Sequence, residues 1–373
     1  MFGKKSVMFI LFLCIYALCY AQETDNKFWD GLARVSSFGK PFWADIRAPL
    51  NMIEIAYASN SLDYDWYEHD TTFRPFFFAT VGAAFPLWSG DFKNEKYGLN
   101  ITFPARFDIW LDAFELITAP VINASYGFGL DIGFIYRLDS SRVVWSTQER
   151  RLPNFLDFSI YNWSLKLSPF KHECTHIGDE LTIRRRDAGF PITRINVSFN
   201  YAELVFTLND PDSQVRLNHG FRFGTIFNYK FKGGWYDWYD LLETEANLDY
   251  VEKSTFPFEI YLQYQFQSNP FSKGFQIIAS FEYRLRERYK YPFSYSGSLG
   301  EYMENNPHIL DARSRSISDC YNVYLGIRYN NPNNLNYFSK IGVGLRYYKG
   351  INPHGQFRAM PTYHQIGLVL VIE

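Results

Sequence analysis

The stretch FKHECTHIGDEL, Phe170 to Leu181, places His172, Cys174 and His176 at alternate positions. Two chemistries use residues of these types. His172-Glu173-Cys174-Thr175-His176 satisfies H-E-x-x-H. On a helix that spacing puts both imidazoles on one face, where they reach a single zinc with Glu173 as general base. On a strand, residues i, i+2 and i+4 share a face instead. There His172 and Cys174 would pair a base with a nucleophile. The element beneath the motif decides between them.

That element reads as a strand. In the approach YNWSLKLSPF, Trp163, Leu165 and Leu167 alternate with Asn162, Ser164 and Lys166. Pro169 precedes the motif and Gly178 follows it. A helix confined between them has about two turns and no apolar stripe, and no third ligand follows in helical context. No metal or cofactor is expected. Counting straight through Pro169, His172, Cys174 and His176 share the face of Ser164, Lys166 and Ser168, the polar face. The arrangement is similar to outer-membrane lipid hydrolases, whose sites include a His-x-Ser on a barrel strand. Those sites face lipid, whereas parity here points inward. The alternative is a hydrogen-bonded network of His172, His176, Asp179 and Glu180 that ties down a loop. Arg184, Arg185 and Arg186 follow in the same loop, suited to lipopolysaccharide phosphate or to plain solvation. Acidic, aromatic Trp235 to Tyr250 reads as rim packing.

The rest of the chain indicates what kind of sheet carries the motif. Lys4 and Lys5 precede an apolar run from Ser6 to Tyr20 and a small residue, Ala21. This predicts a secretory signal peptide over 1–21 and a single domain over 22–373. A net charge of −2 leaves no footprint for nucleic acid. Beyond the leader no apolar run is long enough for a membrane helix. Yet 36 Phe, 28 Tyr and 9 Trp make up 20% of the chain, more than solubility demands, and Tyr and Trp favour membrane interfaces.

Period-two alternation recurs throughout. Tyr126 to Leu138 alternates apolar residues with Gly and charge, and Phe258 to Gln267 and Phe275 to Arg286 follow the same rule. Several runs exceed an ordinary soluble strand and match the 9–11 residues, roughly, that a tilted membrane strand needs. Strands are predicted near 51–58, 75–88, 97–112, 125–138, 156–168, 195–208, 215–229, 257–267, 275–286, 320–330, 338–348 and 363–373. They form an antiparallel transmembrane β-barrel of about twelve strands. Short and long connections alternate, which puts the termini in the periplasm and the end of the fifth strand at the outer rim. Asp139–Asn154 is long for a periplasmic turn, and the chain ends in Glu373 rather than an aromatic residue.

The tail Gly178-Asp179-Glu180, with His172 and His176, resembles a segment of the bacterial domain-of-unknown-function family 1207. Cys174 and Thr175 stand where that family has serines, and Ile177 where it has leucine. Trp43 to Pro49, WADIRAP, resembles a second segment near that family's start. The resemblance implies an exported, outer-membrane-associated β-rich protein and no particular activity. The expectation is therefore a bacterial outer-membrane barrel, non-catalytic, acting as a small pore or a platform for surface loops. Its partners would be outer-membrane lipid or lipopolysaccharide, and the barrel-assembly machinery during insertion. The alternatives are a lipid hydrolase using His172, Cys174 and His176, and a soluble periplasmic β-sandwich that binds a ligand.

Overall fold

The structure, a computed structural model, describes residues 38–45, 47–59, 75–92, 96–111, 121–145, 158–177, 193–210, 219–237, 249–250, 258–268, 271, 274–287, 317–330, 340–351 and 363–372. Thirteen strands run through them: β1 (Asn51–Ser59), β2 (Pro75–Phe92), β3 (Tyr97–Leu111), β4 (Val121–Trp145), β5 (Phe158–Ile177), β6 (Thr193–Leu208), β7 (His219–Asp237), β8 (Asp249–Tyr250), β9 (Phe258–Gln267), β10 (Phe275–Glu287), β11 (Ile317–Asn330), β12 (Lys340–Gly350) and β13 (Tyr363–Ile372). All but the two-residue β8 form one antiparallel ring of twelve. β1 closes against β13, with Asn51 opposite Ile372, and β6 closes against β7. Every strand of the ring has two neighbours, so no edge is left unpaired. One closed ring excludes the two-sheet sandwich.

The two faces of the ring differ in chemistry. Outward side chains include Leu165, Leu204, Phe223, Leu325 and Leu345; the last two are 57% and 58% exposed. Exposed aliphatic and aromatic residues continue around the whole circumference. A band of that extent suits hydrocarbon rather than water. The inward positions are polar and buried, among them Glu54, Glu203, Glu259, Glu282, Arg284 and Arg346.

A hydrated lumen is the simple expectation for such a polar face, but this one is filled. Residues 38–45 and 47–50 enter it, and the wall satisfies several of their backbone groups. Trp43 N–H donates to Gln265 Oε1 at 2.8 Å and Ala44 N–H to Ser280 Oγ at 3.1 Å; Asn322 Nδ2 donates to the Ala44 carbonyl at 2.6 Å. Trp43 joins Ala48, Leu50, Ile278, Tyr324, Val369 and Val371 in a small apolar core inside the barrel. Gly342 makes room for it: a Cβ there would lie 2.2 Å from the Trp43 ring. Asp45 reaches toward Arg222 at 3.9 Å and Arg284 at 3.8 Å, and Arg47 toward Glu259 at 3.3 Å. Asp210, in the turn after β6, accepts from Gly39 N–H at 2.9 Å and from Ser164 Oγ. Burial pushes its carboxyl above the usual range, with Arg222 acting in opposition. What remains beside the segment is a cavity of about 180 Å³ whose lining mixes charged side chains such as Asp131, Lys171 and Glu203 with apolar ones such as Phe38, Pro49 and Pro104. The described residues of this segment occupy the lumen along this stretch.

Several predicted boundaries move; β7, for example, runs to Asp237 rather than to 229. β4 continues to Trp145, so part of the supposed turn at Asp139–Asn154 is strand. β5 does not stop near position 168 but runs to Ile177.

Candidate active site

β5 carries the motif, and one irregularity in β5 determines where the motif points. From Asn162 to Ser168 the even positions face the lumen: Asn162, Ser164 and Ser168 are buried, while Leu165 and Leu167 are exposed on the outside. Pro169 cannot donate to a ladder. The β5–β6 register shifts between Ser168 and Lys171, and β4 shifts against β5 between Leu130 and Ile132. This is a β-bulge: an extra residue enters and parity inverts. Beyond it the odd positions face inward, with Glu173 and Thr175 buried.

His172 and Cys174 therefore face outward, not toward the lumen as a straight count through Pro169 requires. The His172 ring lies 5.2 Å from the ring of Phe128 and 6.4 Å from that of Tyr126, both exposed outer-face residues of β4. Cys174 sits opposite Tyr126 in the ladder, its thiol beside the Tyr126 side chain. His176 pairs through its backbone with Ala124 and Asn196, in strand rather than helix. The zinc-protease geometry is thus excluded by the element itself. Among the described residues no group of His, Cys, Asp and Glu is arranged to hold a metal. Asp179, Glu180, Arg184, Arg185 and Arg186 lie outside the described residues, as does most of Trp235–Tyr250.

The neighbouring strand supplies a residue that the motif did not announce. Asn200 of β6 stands opposite His172, and His172 Nδ1 lies 2.7 Å from Asn200 Oδ1. With the amide oxygen as acceptor, Nδ1 is the donor; a neutral ring then presents its lone pair at Nε2, and the contact orients the imidazole. This is the orientation a general base beside a nucleophile needs. Ser198, opposite Cys174, continues the polar patch. Below it on the same outer face lie Leu165, Leu167, Leu204 and Phe206, all exposed and apolar. Asn200 had a signal in the sequence: in its strand it shares parity with Leu204 and Phe206, where a membrane-facing residue should be apolar.

Behind the patch, on the lumenal side, every charge is matched. Lys171 Nζ is 2.6 Å from Glu203 Oε2 and 3.5 Å from Asp131 Oδ1, and Lys166 Nζ is 3.3 Å from Glu203. Glu173 lies 3.5 Å from Arg47 and 3.8 Å from Arg106.

Neither a family model nor a curated relative matches the chain. Its fold is similar to that of outer membrane phospholipase A from Escherichia coli, at 11% identity and a TM-score of 0.42 over 87% of this chain and 93% of that one. LpxR from Salmonella typhimurium aligns at 11% identity and a TM-score of 0.32, over 86% and 99% of the two chains. The translocator domain of the autotransporter NalP from Neisseria meningitidis aligns at 10% and 0.29, over 96% and 97%. All three are barrels.

Proposed function

We propose that the protein is a lipid acyl hydrolase of the bacterial outer membrane, with Cys174 as nucleophile, His172 as general base and Asn200 orienting the imidazole. The observation that carries this reading is the 2.7 Å His172–Asn200 hydrogen bond beside Cys174 on the outer face. Polar side chains facing hydrocarbon are costly, and the barrel closes without these three. The lumen occupied by residues 38–45 and 47–50 argues against the alternative of a small pore.

In the proposed reaction His172 Nε2 removes the thiol proton and Cys174 Sγ attacks an acyl ester carbonyl. The C–O bond breaks, and the alcohol leaves with the proton carried by His172. Water, deprotonated by the same imidazole, then attacks the thioester; the fatty acid departs and the thiol is restored. The substrate ester arrives from the bilayer, its acyl chains beside Leu165, Leu167, Leu204 and Phe206. Because β5 runs from the end where β1 begins to the opposite end, the patch near Ile177 serves the outer leaflet if the termini are periplasmic.

The test is turnover of phospholipid and of lipid A in mixed micelles by the purified barrel and by Cys174→Ala, His172→Ala and Asn200→Ala. Fatty-acid release that fails in the first two variants supports the reading. Equal release by all four proteins overturns it.

A further inference from the structure

The lumenal side of the same two strands carries a second set of contacts, and they converge on one residue. Glu173 lies between His172 and Cys174 in β5. Phe199 and Tyr201 flank Asn200 in β6. All three are buried and face inward. Arg47, within WADIRAP, touches each of them. Its Nε is 3.5 Å from Glu173 Oε2, and its guanidinium carbon is 5.7 Å from the Phe199 ring centroid and 5.2 Å from that of Tyr201. Its Nη2 reaches Glu259 of β9 at 3.3 Å. One guanidinium thus contacts the inner-face neighbours of every member of the outer-face patch.

We infer that Arg47 is a positioning residue for the patch: from inside the barrel it sets the separation and register of β5 and β6 on which the His172–Asn200 hydrogen bond depends. This rests on the proposed acyl-transfer reading for its purpose, though not for its geometry. The ladder is irregular at this place. β5 is bulged against β6 between Ser168 and Lys171, and β7 is bulged against β6 between Asn200 and Tyr201. Each bulge removes regular pairing beside the site. A guanidinium compensates because its planar fork binds a carboxylate while its face lies on aromatic rings. The ammonium of lysine combines these poorly. Arg106 Nη2, 3.8 Å from the other Glu173 oxygen, holds the carboxylate from the opposite side.

The test compares Arg47→Lys with Asn322→Ala in full-length barrels whose folding is checked by heat-modifiable gel mobility. Asn322→Ala removes the hydrogen bond to the Ala44 carbonyl and none of the Arg47 contacts with Glu173, Phe199 and Tyr201. In histidine-labelled protein the Nδ1–H proton of His172 is assigned by its loss in His172→Ala. Arg47→Lys is expected to shift or broaden that resonance, and Asn322→Ala to leave it in place. In lipid hydrolysis Arg47→Lys is expected to lower kcat roughly ten- to a hundredfold with KM within about twofold, because misplacement of a reacting group falls on the chemical step. An unchanged His172 resonance in Arg47→Lys, or an equal change in both variants, overturns the inference. The resonance is read without turnover, so a wild type that hydrolyses no lipid counts against the proposed function and leaves the positioning result standing.

Discussion

Past its bulge, β5 shows two faces that use polar residues in opposite ways. Inward, Lys171 and Glu173 are enclosed by counter-charges: Glu203, Asp131, Arg47 and Arg106. Removing one partner of such a pair leaves an uncompensated buried charge, so this face is held in place by the fold itself. Outward, His172, Cys174 and Asn200 lie among Tyr126, Phe128 and Leu204. There an apolar residue would serve the barrel better. A polar group that the fold requires and one that the fold merely tolerates carry different information, and the second kind points to chemistry.

The widest break of this contrast is predicted for the outer face. His172→Ala and Cys174→Ala should each lower lipid hydrolysis by about 10²–10⁴-fold, the usual contribution of a base or nucleophile, with heat-modifiable mobility unchanged. Deleting Pro169 should remove the extra residue of the bulge. Lys171 then follows Ser168 by two positions with both still inward, so His172 and Cys174 keep facing outward, and a membrane-soluble maleimide should label Cys174 in the deletion variant as in the wild type. On the inner face, Glu203→Ala strips Lys171 of its closest carboxylate. The expected loss is about 3–5 kcal/mol, read as a lower temperature for the loss of folded mobility. Asn200→Ala should cost about tenfold in kcat, as expected for one oriented hydrogen bond, with stability nearly unchanged. The smallest effect concerns Asp210. Its carboxyl is raised above its ordinary 3.8, so its contribution to stability is full at lower pH and is lost as pH rises through the folded-state value. Asp210→Asn should flatten that part of the pH–stability curve in thermal melts.

The ring of strands was legible because alternation is a direct consequence of one apolar and one polar face. The predicted starts at 51, 75, 97, 275 and 363 match those of β1, β2, β3, β10 and β13. The orientation of the site was not legible by counting. A single inserted residue inverts every later position, and only Pro169 marked where this happens. The lumenal segment was hidden for a different reason. Residues 38–50 have no period, and several of their contacts are with side chains more than 170 positions away, such as Gly39 with Asp210 and Trp43 with Gln265. WADIRAP stood out as a string, but its role needed the barrel around it. Asn200 was half visible, as a polar residue on a face that should be apolar; its partner became apparent only with the register that sets it opposite His172.

The central claim is that Cys174 takes an acyl group from membrane lipid with His172 as its base. The most direct measurement is mass spectrometry of the Cys174 peptide after the folded barrel is mixed with phospholipid and quenched in acid. The account predicts an acyl adduct on Cys174 that hydroxylamine removes and that is missing from His172→Ala. Fatty-acid release with Cys174 unmodified, and undiminished in Cys174→Ala, would contradict it.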